Sequence, residues 1–373
     1  MNIAYINKSW TNDVPDGIAT YTKTIAREMA MHKHGVHVIT RYSKNFKKQD
    51  KDIFFHFINV PIPQILLRYK FFQIIETCYF QIGVFIKSIR LLKKIDLIEA
   101  PDAAAEGFWI ATLLNKKLIT RIHTPIIFCS LTLNQKPSLS RKILGWMEYI
   151  QIKRSKDLSC PSYHLTKVIL TKWKLPKNIK VIPNPINVDY KPKKINLIKT
   201  ILFIGGFDCE NGFKIFKNAF LSVKKKYPLV NAYAAGHCCS KNNNRDELMI
   251  AKLGIVKQNI LFDHIKSADV VILASRWENF SYVLLESMML KTIVICPKTG
   301  GYLEIIENGK NGIFFDIKSC NDLAKKIKYF FDMKKNTRGI IENHAFNKAK
   351  TFSSQKLYPA FMSYYLSLTK GSN

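Results

Sequence analysis

Acidic residues are scarce in this chain of 373 residues: 27 Asp and Glu stand against 58 Lys and Arg, a net charge of +31. The surplus is spread over both halves of the chain, so there is no basic tail. Only 10 of the basic residues are Arg, although surfaces that recognise phosphates or bases usually favour Arg. A lysine-rich coding bias and attraction to anionic lipids or phosphorylated substrates both stay open as causes. We expect no nucleic-acid partner, because no binding module is present.

Glycine, proline and paired cysteines are also few. The 16 Gly and 14 Pro exclude a collagen-like or low-complexity protein, and the eight Cys include no CxxC pair. No apolar run reaches the ~20 residues of a membrane-spanning helix, and the first residues lack the apolar region of a signal peptide. Because the cysteines form no CxxC pairs, we expect a cytoplasmic protein. Because 47% of the residues are hydrophobic, we expect a large buried core.

Short β-rich runs alternate along the chain with longer helical patterns, which is typical of parallel sheets covered by helices. The alternation stops at Pro183-Asn184-Pro185 and restarts at a predicted strand, Thr200–Ile204, after a lysine-rich linker. We therefore predict an α/β protein of two doubly wound, Rossmann-like domains that face each other across a cleft. The predicted boundaries give an acceptor-side domain, a donor domain and a last helix that packs back on the first domain: 1–186, 187–352 and 353–373.

Two glutamates lie around one predicted helix start. Glu278 falls in the turn after the predicted strand Val270–Ala274, and Glu286 lies inside the predicted helix Ser281–Leu290. The unpaired N–H groups and the dipole of a helix start favour an anion such as a diphosphate, and carboxylates accept hydrogen bonds from sugar hydroxyls. By themselves, acids at this place more often only complement the helix dipole.

The segment from Glu278 to Met288 resembles the E-x7-E motif of family 4 retaining glycosyltransferases of the bacterial surface-polysaccharide and lipopolysaccharide type. Further segments resemble that family in the same order along the chain: Pro15–Tyr21, Ile98–Asp102, Arg121–Pro125, Cys160–Ser162, Val181–Ile186, Thr299–Glu304 and Asn308–Phe314. The resemblance covers most of the chain. It implies the GT-B architecture, a nucleotide-sugar donor held mainly by the second domain, and neither a metal nor another cofactor.

The resemblance also implies roles for particular residues. His123 and Glu278 are the expected catalytic residues, of which His123 contacts the transferred sugar and Glu278 orients it. Backbone groups hold the donor diphosphate, and Glu286 binds the ribose. The expected donor-binding residues are Gly17, Gly205, Phe280, Ser281, Tyr282 and Glu286. Outside this context, His123 would be interpreted as a packed histidine and Gly17 as an ordinary helix entry.

The implied reaction is a metal-independent transfer of a hexose, with retention of configuration, from a nucleotide sugar to a glycan or lipid-linked acceptor. Its place is the synthesis of cell-surface polysaccharide or lipopolysaccharide. Two basic, aromatic stretches, Pro61–Lys94 and Lys136–Lys156, are also typical of docking on the anionic inner face of a plasma membrane. The alternative is that both are amphipathic helices with a core-facing apolar side.

Some positions depart from the family pattern. Gly206 and Asn211 stand where relatives carry an Arg and a Lys that neutralise the donor diphosphate. Each lost charge-assisted hydrogen bond costs about 1.5–3 kcal/mol, unless another cation replaces it, for which the candidates are Lys214, Arg276 and Lys298. A glycine-containing loop and a short helix are also expected to be missing after Asn259–Phe262. The departures keep open a second hypothesis, a catalytically lapsed relative that binds a partner or glycan. A sugar-nucleotide epimerase or phosphorylase of the same architecture ranks behind both.

Overall fold

The computed structural model describes residues 1–11, 16–43, 52–114, 118–128, 137–175, 178–187, 199–206, 212–237 and 249–370. The chain divides into two compact units. The first is formed by Met1–Pro185 together with Ser354–Asn373, and the second by Ile186–Ser353. Asn211, Pro15 and nearly all of the predicted lysine-rich linker lie outside the described residues.

The first unit is built on a sheet of seven parallel strands. They are β1 (Asn2–Ile6), β2 (Gly35–Arg41), β3 (Ile53–Ile58), β4 (Leu97–Pro101), β5 (Leu118–Arg121), β6 (Asp157–Cys160) and β7 (Lys180–Val181). Their order across the sheet is β3-β2-β1-β4-β5-β6-β7. The direction of winding therefore reverses between β1 and β4, and doubly wound sheets bind ligands beyond the carboxyl ends of the strands at such a switch point.

The second unit repeats this design with six parallel strands. They are β8 (Thr200–Ile204), β9 (Asn231–Ala235), β10 (Ile250–Gly254), β11 (Val270–Ile272), β12 (Ile293–Pro297) and β13 (Ile313–Phe315). The order β10-β9-β8-β11-β12-β13 places the switch point between β8 and β11. The predicted α/β class with two doubly wound sheets is thus confirmed.

Helices cover both sheets. Those in the described residues are α1 (Gly17–Met31), α2 (Lys70–Leu91), α3 (Leu139–Arg154), α4 (Tyr163–Trp173), α5 (Gly212–Lys226), α6 (Gln258–Ser267), α7 (Tyr282–Met289), α8 (Tyr302–Ile305), α9 (Cys320–Asp332), α10 (Lys335–Lys350) and α11 (Ser354–Lys370). α1 shows why they form: the Asp16 carboxylate accepts the N–H of Ala19 at 2.7 Å as an N-cap, and Tyr21, Ile25 and Met29 are buried on one face. None of the helices in the described ranges is both long and apolar enough to cross a bilayer.

Three strands escaped the sequence prediction, and all three lie at sheet edges: β3, β10 and β13. An edge strand has a neighbour on one side only, so its residues need not be buried on both faces. β3 is buried only at its first and last residues and β10 only at its first, and their other residues are partly or fully exposed. The sequence predicts strands at Ile3–Ile6, Asp96–Ala100 and Thr292–Cys296, and these correspond to the interior strands β1, β4 and β12, whose residues are nearly all buried.

The last helix, α11, belongs to the first unit. The Ser354 hydroxyl donates to the buried Glu28 carboxylate of α1 at 2.5 Å, and the Tyr364 hydroxyl donates to the backbone oxygen of Leu158 in β6 at 3.1 Å. The ring of Tyr358 stacks on that of His32, with 3.7 Å between ring centroids. α11 thus fills a layer against α1 and completes the first unit.

A buried charged network joins α11 to the middle of the first sheet. Glu99 of β4 accepts hydrogen bonds from the hydroxyls of Tyr21 at 2.6 Å and Tyr365 at 2.8 Å. The guanidinium of Arg121 in β5 lies 4.7 Å from the centre of the Tyr21 ring. Burial raises the pKa of Glu99, and the Arg121 charge opposes that rise. Two ionisable side chains are therefore kept inside the fold by aromatic partners from α1 and α11.

Tyr365→Phe tests this network. It removes one of the two hydroxyl donors to a buried carboxyl group, so we expect the free energy of unfolding to fall by about 1–3 kcal/mol. Urea unfolding followed by circular dichroism measures the change. Tyr329→Phe, at an exposed tyrosine of α9, is the matched control and should leave stability unchanged. Equal stabilities of the two variants would show that the hydroxyl of Tyr365 contributes nothing.

Candidate active site

Glycines crowd the carboxyl edge of the second sheet beside its switch point. Gly236 follows β9 with φ at +145°, and a Cβ placed on it would lie 2.0 Å from the backbone oxygen of Gly205, which follows β8. No larger residue fits there without moving the backbone. Beside this close approach, a Cβ built on the exposed Gly206 meets no atom of the described residues within 4 Å.

A second close approach holds Glu278. The turn Gly300-Gly301 after β12 packs against the backbone of Glu278 and Asn279, and the N–H of Gly301 donates to the oxygen of Glu278 at 2.7 Å. A Cβ on Gly301 would lie 1.8 Å from the oxygen of Asn279. Burial raises the pKa of Glu278 to about 7, and the N–H groups of Asn279 and Phe280 oppose the rise. The Phe280 amide, predicted to hold phosphate, therefore lies against this carboxylate.

The helix α7 begins next to this turn and carries Glu286 in its middle. Ser281 is the N-cap, and its hydroxyl accepts the N–H of Leu284 at 3.3 Å. The hydroxyl of the buried Tyr302 interacts with the side chains of Ser281 and Ser275. Phe280 packs edge-on against the ring of Tyr282 at 6.3 Å. The start of α7 is thereby fixed by side chains on both sides.

Glu286 is almost fully buried, and one polar partner is seen for it in the part of the chain that the structure describes. Its carboxylate accepts a hydrogen bond at 2.9 Å from the side-chain amide of Gln258, the first residue of α6. Burial raises the pKa of Glu286 to about 7, and the hydrogen bond from Gln258 opposes the rise. A ribose diol has the hydrogen-bonding groups that Gln258 supplies here, so the carboxylate can bind it.

One sequence expectation is wrong. A loop and a short helix were expected to be missing after Asn259–Phe262, but Gly254, with φ at +67°, opens a loop after β10, and α6 follows as a short helix. The segment Asn259–Phe262 is part of that helix. The prediction failed because the edge strand β10 was not recognised, so the loop was sought one element too late.

In the first unit, His123 lies two residues beyond β5. Its backbone N–H donates to the carboxylate of Asp102 at 2.7 Å, and its ring meets that of Tyr21 edge to face, with 5.2 Å between centroids. Burial lowers the pKa of His123 well below its ordinary value, and the Arg121 charge lowers it further. The imidazole is therefore neutral at pH 7, with one donor and one acceptor nitrogen.

The loop after β4 holds Asp102 in place. Ala104 and Ala105 have positive φ angles of 54° and 48°, which non-glycine residues rarely adopt. The buried Glu148 of α3 accepts the N–H groups of Ala104 at 3.0 Å and Ile126 at 2.7 Å, which compensates for this strain. Burial raises the pKa of Asp102 to about 7. The sequence predicted a strand-end motif here, but nothing in it indicated Glu148.

The remaining predicted residues fall on both units. Gly17 is the first residue of α1, the helix that follows β1. β1 is one of the two strands at the switch point of the first sheet. The three candidate cations, Lys214, Arg276 and Lys298, are all exposed and follow β8, β11 and β12 of the second unit. The structure thus brings together Glu278, Phe280, Ser281, Tyr282 and Glu286 in the second unit, whereas Gly17 and His123 lie in the first. Their roles toward a substrate stay predictions.

Sequence profiles of known families match the two parts of the chain. Residues 15–190 match the profile described as Glycosyltransferase Family 4, and residues 191–346 match Glycosyl transferases group 1. The chain belongs to the family 4 glycosyltransferases. An uncharacterised 41.2 kDa protein from the cps region of Klebsiella pneumoniae is 24% identical to this glycosyltransferase over 295 residues. The match covers 73% of the present chain and 81% of the Klebsiella protein.

Solved structures share the fold. Sucrose-phosphate synthase from Thermosynechococcus elongatus superposes on the glycosyltransferase with a TM-score of 0.76 at 16% identity and covers 100% of both chains. HepE from Anabaena in complex with UDP gives 0.72 at 17% identity, over 98% of this chain and 100% of its own. HepE has also been solved in complex with UDP-glucose. These likenesses confirm the predicted GT-B fold.

Gly301→Ala tests the close approach at Glu278. The added Cβ must displace the turn or the Glu278–Asn279 backbone, so we expect stability to fall by about 1–3 kcal/mol. Gly339→Ala is the control, because a Cβ in that position of α10 meets no atom within 4 Å. It should stabilise the protein by about 0.5–1 kcal/mol. Differential scanning calorimetry compares the two, and a stable Gly301→Ala protein would show that the turn has room.

Glu286 should make stability depend on pH. Its pKa is 4.5 ordinarily and about 7 in the fold, so between these values the folded state holds a proton that the unfolded state has released. Stability from this group is complete below pH 4.5 and falls by about 3 kcal/mol as the pH rises through 7. Urea unfolding from pH 5 to 8 should show a smaller decline for Glu286→Gln than for the unsubstituted protein. An equal decline of stability with pH in the two proteins would contradict the raised pKa of Glu286.

Proposed function

We propose that this glycosyltransferase moves a hexose from a nucleotide sugar to a glycan or lipid-linked acceptor, with retention of configuration and without a metal. The observation that carries the proposal is the buried carboxylate of Glu286. It lies in the helix that starts beside Glu278, and among the described residues its partner is the side-chain amide of Gln258 and not a cation. When a ribose diol displaces the Gln258 side chain, the carboxylate accepts hydrogen bonds from the diol instead.

The neighbouring groups suit the rest of a nucleotide-sugar donor. The open, glycine-lined edge at Gly205 and Gly206 admits a diphosphate close to the backbone, and the start of α7 directs its dipole toward an anion. Glu278 accepts hydrogen bonds from hydroxyls of the sugar. A nucleoside diphosphate sugar also agrees with the UDP and UDP-glucose complexes of HepE.

In the proposed reaction the bond between the anomeric carbon and the diphosphate oxygen breaks, and the leaving diphosphate keeps the electron pair. The acceptor hydroxyl forms the new bond on the same face of the sugar and gives its proton to the departing phosphate. Positive charge develops on the anomeric carbon and negative charge on the diphosphate, so dipoles and cations at the diphosphate accelerate the step. His123, neutral at pH 7, hydrogen-bonds the transferred sugar.

The acceptor class follows from context. The Klebsiella pneumoniae relative is described as lying in a cps region, and this supports a role in the synthesis of cell-surface polysaccharide or lipopolysaccharide. The first unit, which carries His123, is the acceptor side.

A second candidate is a lapsed relative that binds a partner or glycan without turnover. One observation favours it: Gly206 brings no charge to the diphosphate, and Lys214, Arg276 and Lys298 are exposed. The two candidates differ in whether nucleotides bind.

A thermal-shift panel with UDP, GDP, ADP and CDP tests the proposal. A bound ligand at ~100 times its dissociation constant stabilises a fold by about 2.7 kcal/mol, so one nucleotide should raise the midpoint. Glu286→Ala should lose that rise, whereas Glu307→Gln, at an exposed surface pair with Lys310, should keep it. Gly206→Arg fills open space with the missing cation and should tighten binding about tenfold.

The outcomes separate the two candidates. A rise with one nucleotide, lost in Glu286→Ala, supports a donor site and names its base. A flat panel for the folded protein that stays flat in Gly206→Arg overturns the transferase and leaves the lapsed relative. Transfer is then measured as release of the nucleoside diphosphate in the presence of a lipid-linked acceptor.

A further inference from the structure

The helix α2 carries an apolar stripe that faces away from its sheet. Its six members recur three or four residues apart, and they are exposed by 39% to 68%: Phe71, Ile75, Tyr79, Ile82, Ile86 and Ile89. At 100° per residue they fall within a sector of about 80°, and at 1.5 Å per residue the stripe is about 27 Å long. A helix on a water-exposed surface normally presents polar residues on this side.

The stripe is separate from the face that α2 uses for its own packing. Phe80, Val84 and Leu91 are buried in the core of the first unit. Glu76 is also buried, and it forms ion pairs with Lys8 at 2.5 Å and Arg41 at 2.9 Å. The contacts with the fold are therefore complete without the stripe.

The borders of the stripe are basic. Arg68, Arg90, Lys93 and Lys94 are exposed at or near the two ends of α2. Between residues 61 and 95, all of which the structure describes, Glu76 is the single acid in the sequence, and its charge is neutralised inside the fold. The exposed surface of α2 thus combines apolar side chains with positive charge alone.

The helix α3, which contacts α2, shows the same combination on a smaller scale. Leu139, Ile143 and Trp146 recur at helical spacing and are exposed, together with Arg141 and Lys142. The exposed Trp146 adds an aromatic side chain to this second apolar and basic surface.

We propose that α2 is a membrane-docking helix, which lies in the plane of an anionic lipid surface with its stripe among the acyl chains and its basic residues at the phosphates. The exposed tyrosines, Tyr69 and Tyr79, suit the headgroup level, because one end of the ring is apolar and the other is polar. This inference concerns a surface that plays no part in the proposed donor site.

Charge decides between a membrane and a second copy of this chain. The spacing of the stripe would also suit a helical seam between two copies. In a symmetric pair, however, the basic borders of one α2 would meet those of the other without any acid between them, and like charges at an interface are unfavourable. Anionic headgroups neutralise them.

Vesicle sedimentation of the full chain tests the proposal. The protein should sediment with vesicles of phosphatidylcholine and phosphatidylglycerol at 0.1 M salt, where the Debye length is about 10 Å, and much less at 1 M, where it is about 3 Å. Vesicles of phosphatidylcholine alone should bind weakly. No sedimentation with phosphatidylglycerol at low salt would overturn the proposal.

Two pairs of variants locate the surface. Ile82→Ser with Ile86→Ser should lower the partition coefficient at least about tenfold, whereas Leu229→Ser with Ile340→Ser, at exposed apolar residues of the second unit, should not change it. Arg90→Gln with Lys93→Gln should lower it about fivefold for each charge. Lys225→Gln with Lys325→Gln removes the same charge from exposed positions of the second unit and should have little effect.

Equal losses in the test and control variants would refute a role for α2. Light scattering gives the other decisive result: a dimer in solution that Ile86→Asp dissociates, without vesicle binding, would make the stripe an interface between copies. Nucleotide binding should be unchanged in every α2 variant, so failure here is distinguishable from failure of the proposed donor site.

Discussion

A buried positive charge governs the first unit. The Arg121 guanidinium, about 1% exposed, cannot stay charged inside a fold without compensation. It donates to the backbone oxygen of Ile182 and the side chain of Asn184 at 2.6 and 2.7 Å, and it lies on the ring of Tyr21. Glu99 supplies the opposite charge, and its carboxylate is held in place by the hydroxyls of Tyr21 and Tyr365. Burial lowers the pKa of His123, and the same guanidinium lowers it further, so the charge that organises the sheet also favours the neutral form of the predicted catalytic histidine.

In the second unit, close backbone packing at glycines has the organising role that a buried charge has in the first unit. The glycines at the strand ends let neighbouring turns touch, and Gly301 brings one turn against the backbone of Glu278. Burial raises the pKa values of Glu278, which lies at this turn, and of Glu286 in the following helix to about 7. A carboxyl group in this range changes its charge near neutral pH, so a bound sugar or ribose that donates hydrogen bonds also favours the ionised form.

The sequence predicted the central strands and α7 because buried apolar runs and motif spacing are local signals. It missed the edge strands β3, β10 and β13, of which β3 and β10 carry weak burial patterns. Because β10 was not recognised, the loop before α6 was misplaced. It indicated Glu286 but not Gln258, and His123 but not Glu148. Gln258 lies 28 positions from Glu286 along the sequence, and Glu148 lies 25 positions from His123. Only the folded chain brings Gln258 to Glu286, and Glu148 to the loop that holds Asp102 against His123.

The return of α11 to the first unit has a consequence for how the chain is made. During synthesis the residues of the second unit leave the ribosome while the first unit still lacks its final helix. Until Tyr365 arrives, Glu99 has a single hydroxyl donor, and Glu28 lacks Ser354. The nascent first unit therefore lacks one hydrogen-bond donor to each of these two buried carboxylates until α11 is made, and its packing is completed only after the second unit has been synthesised.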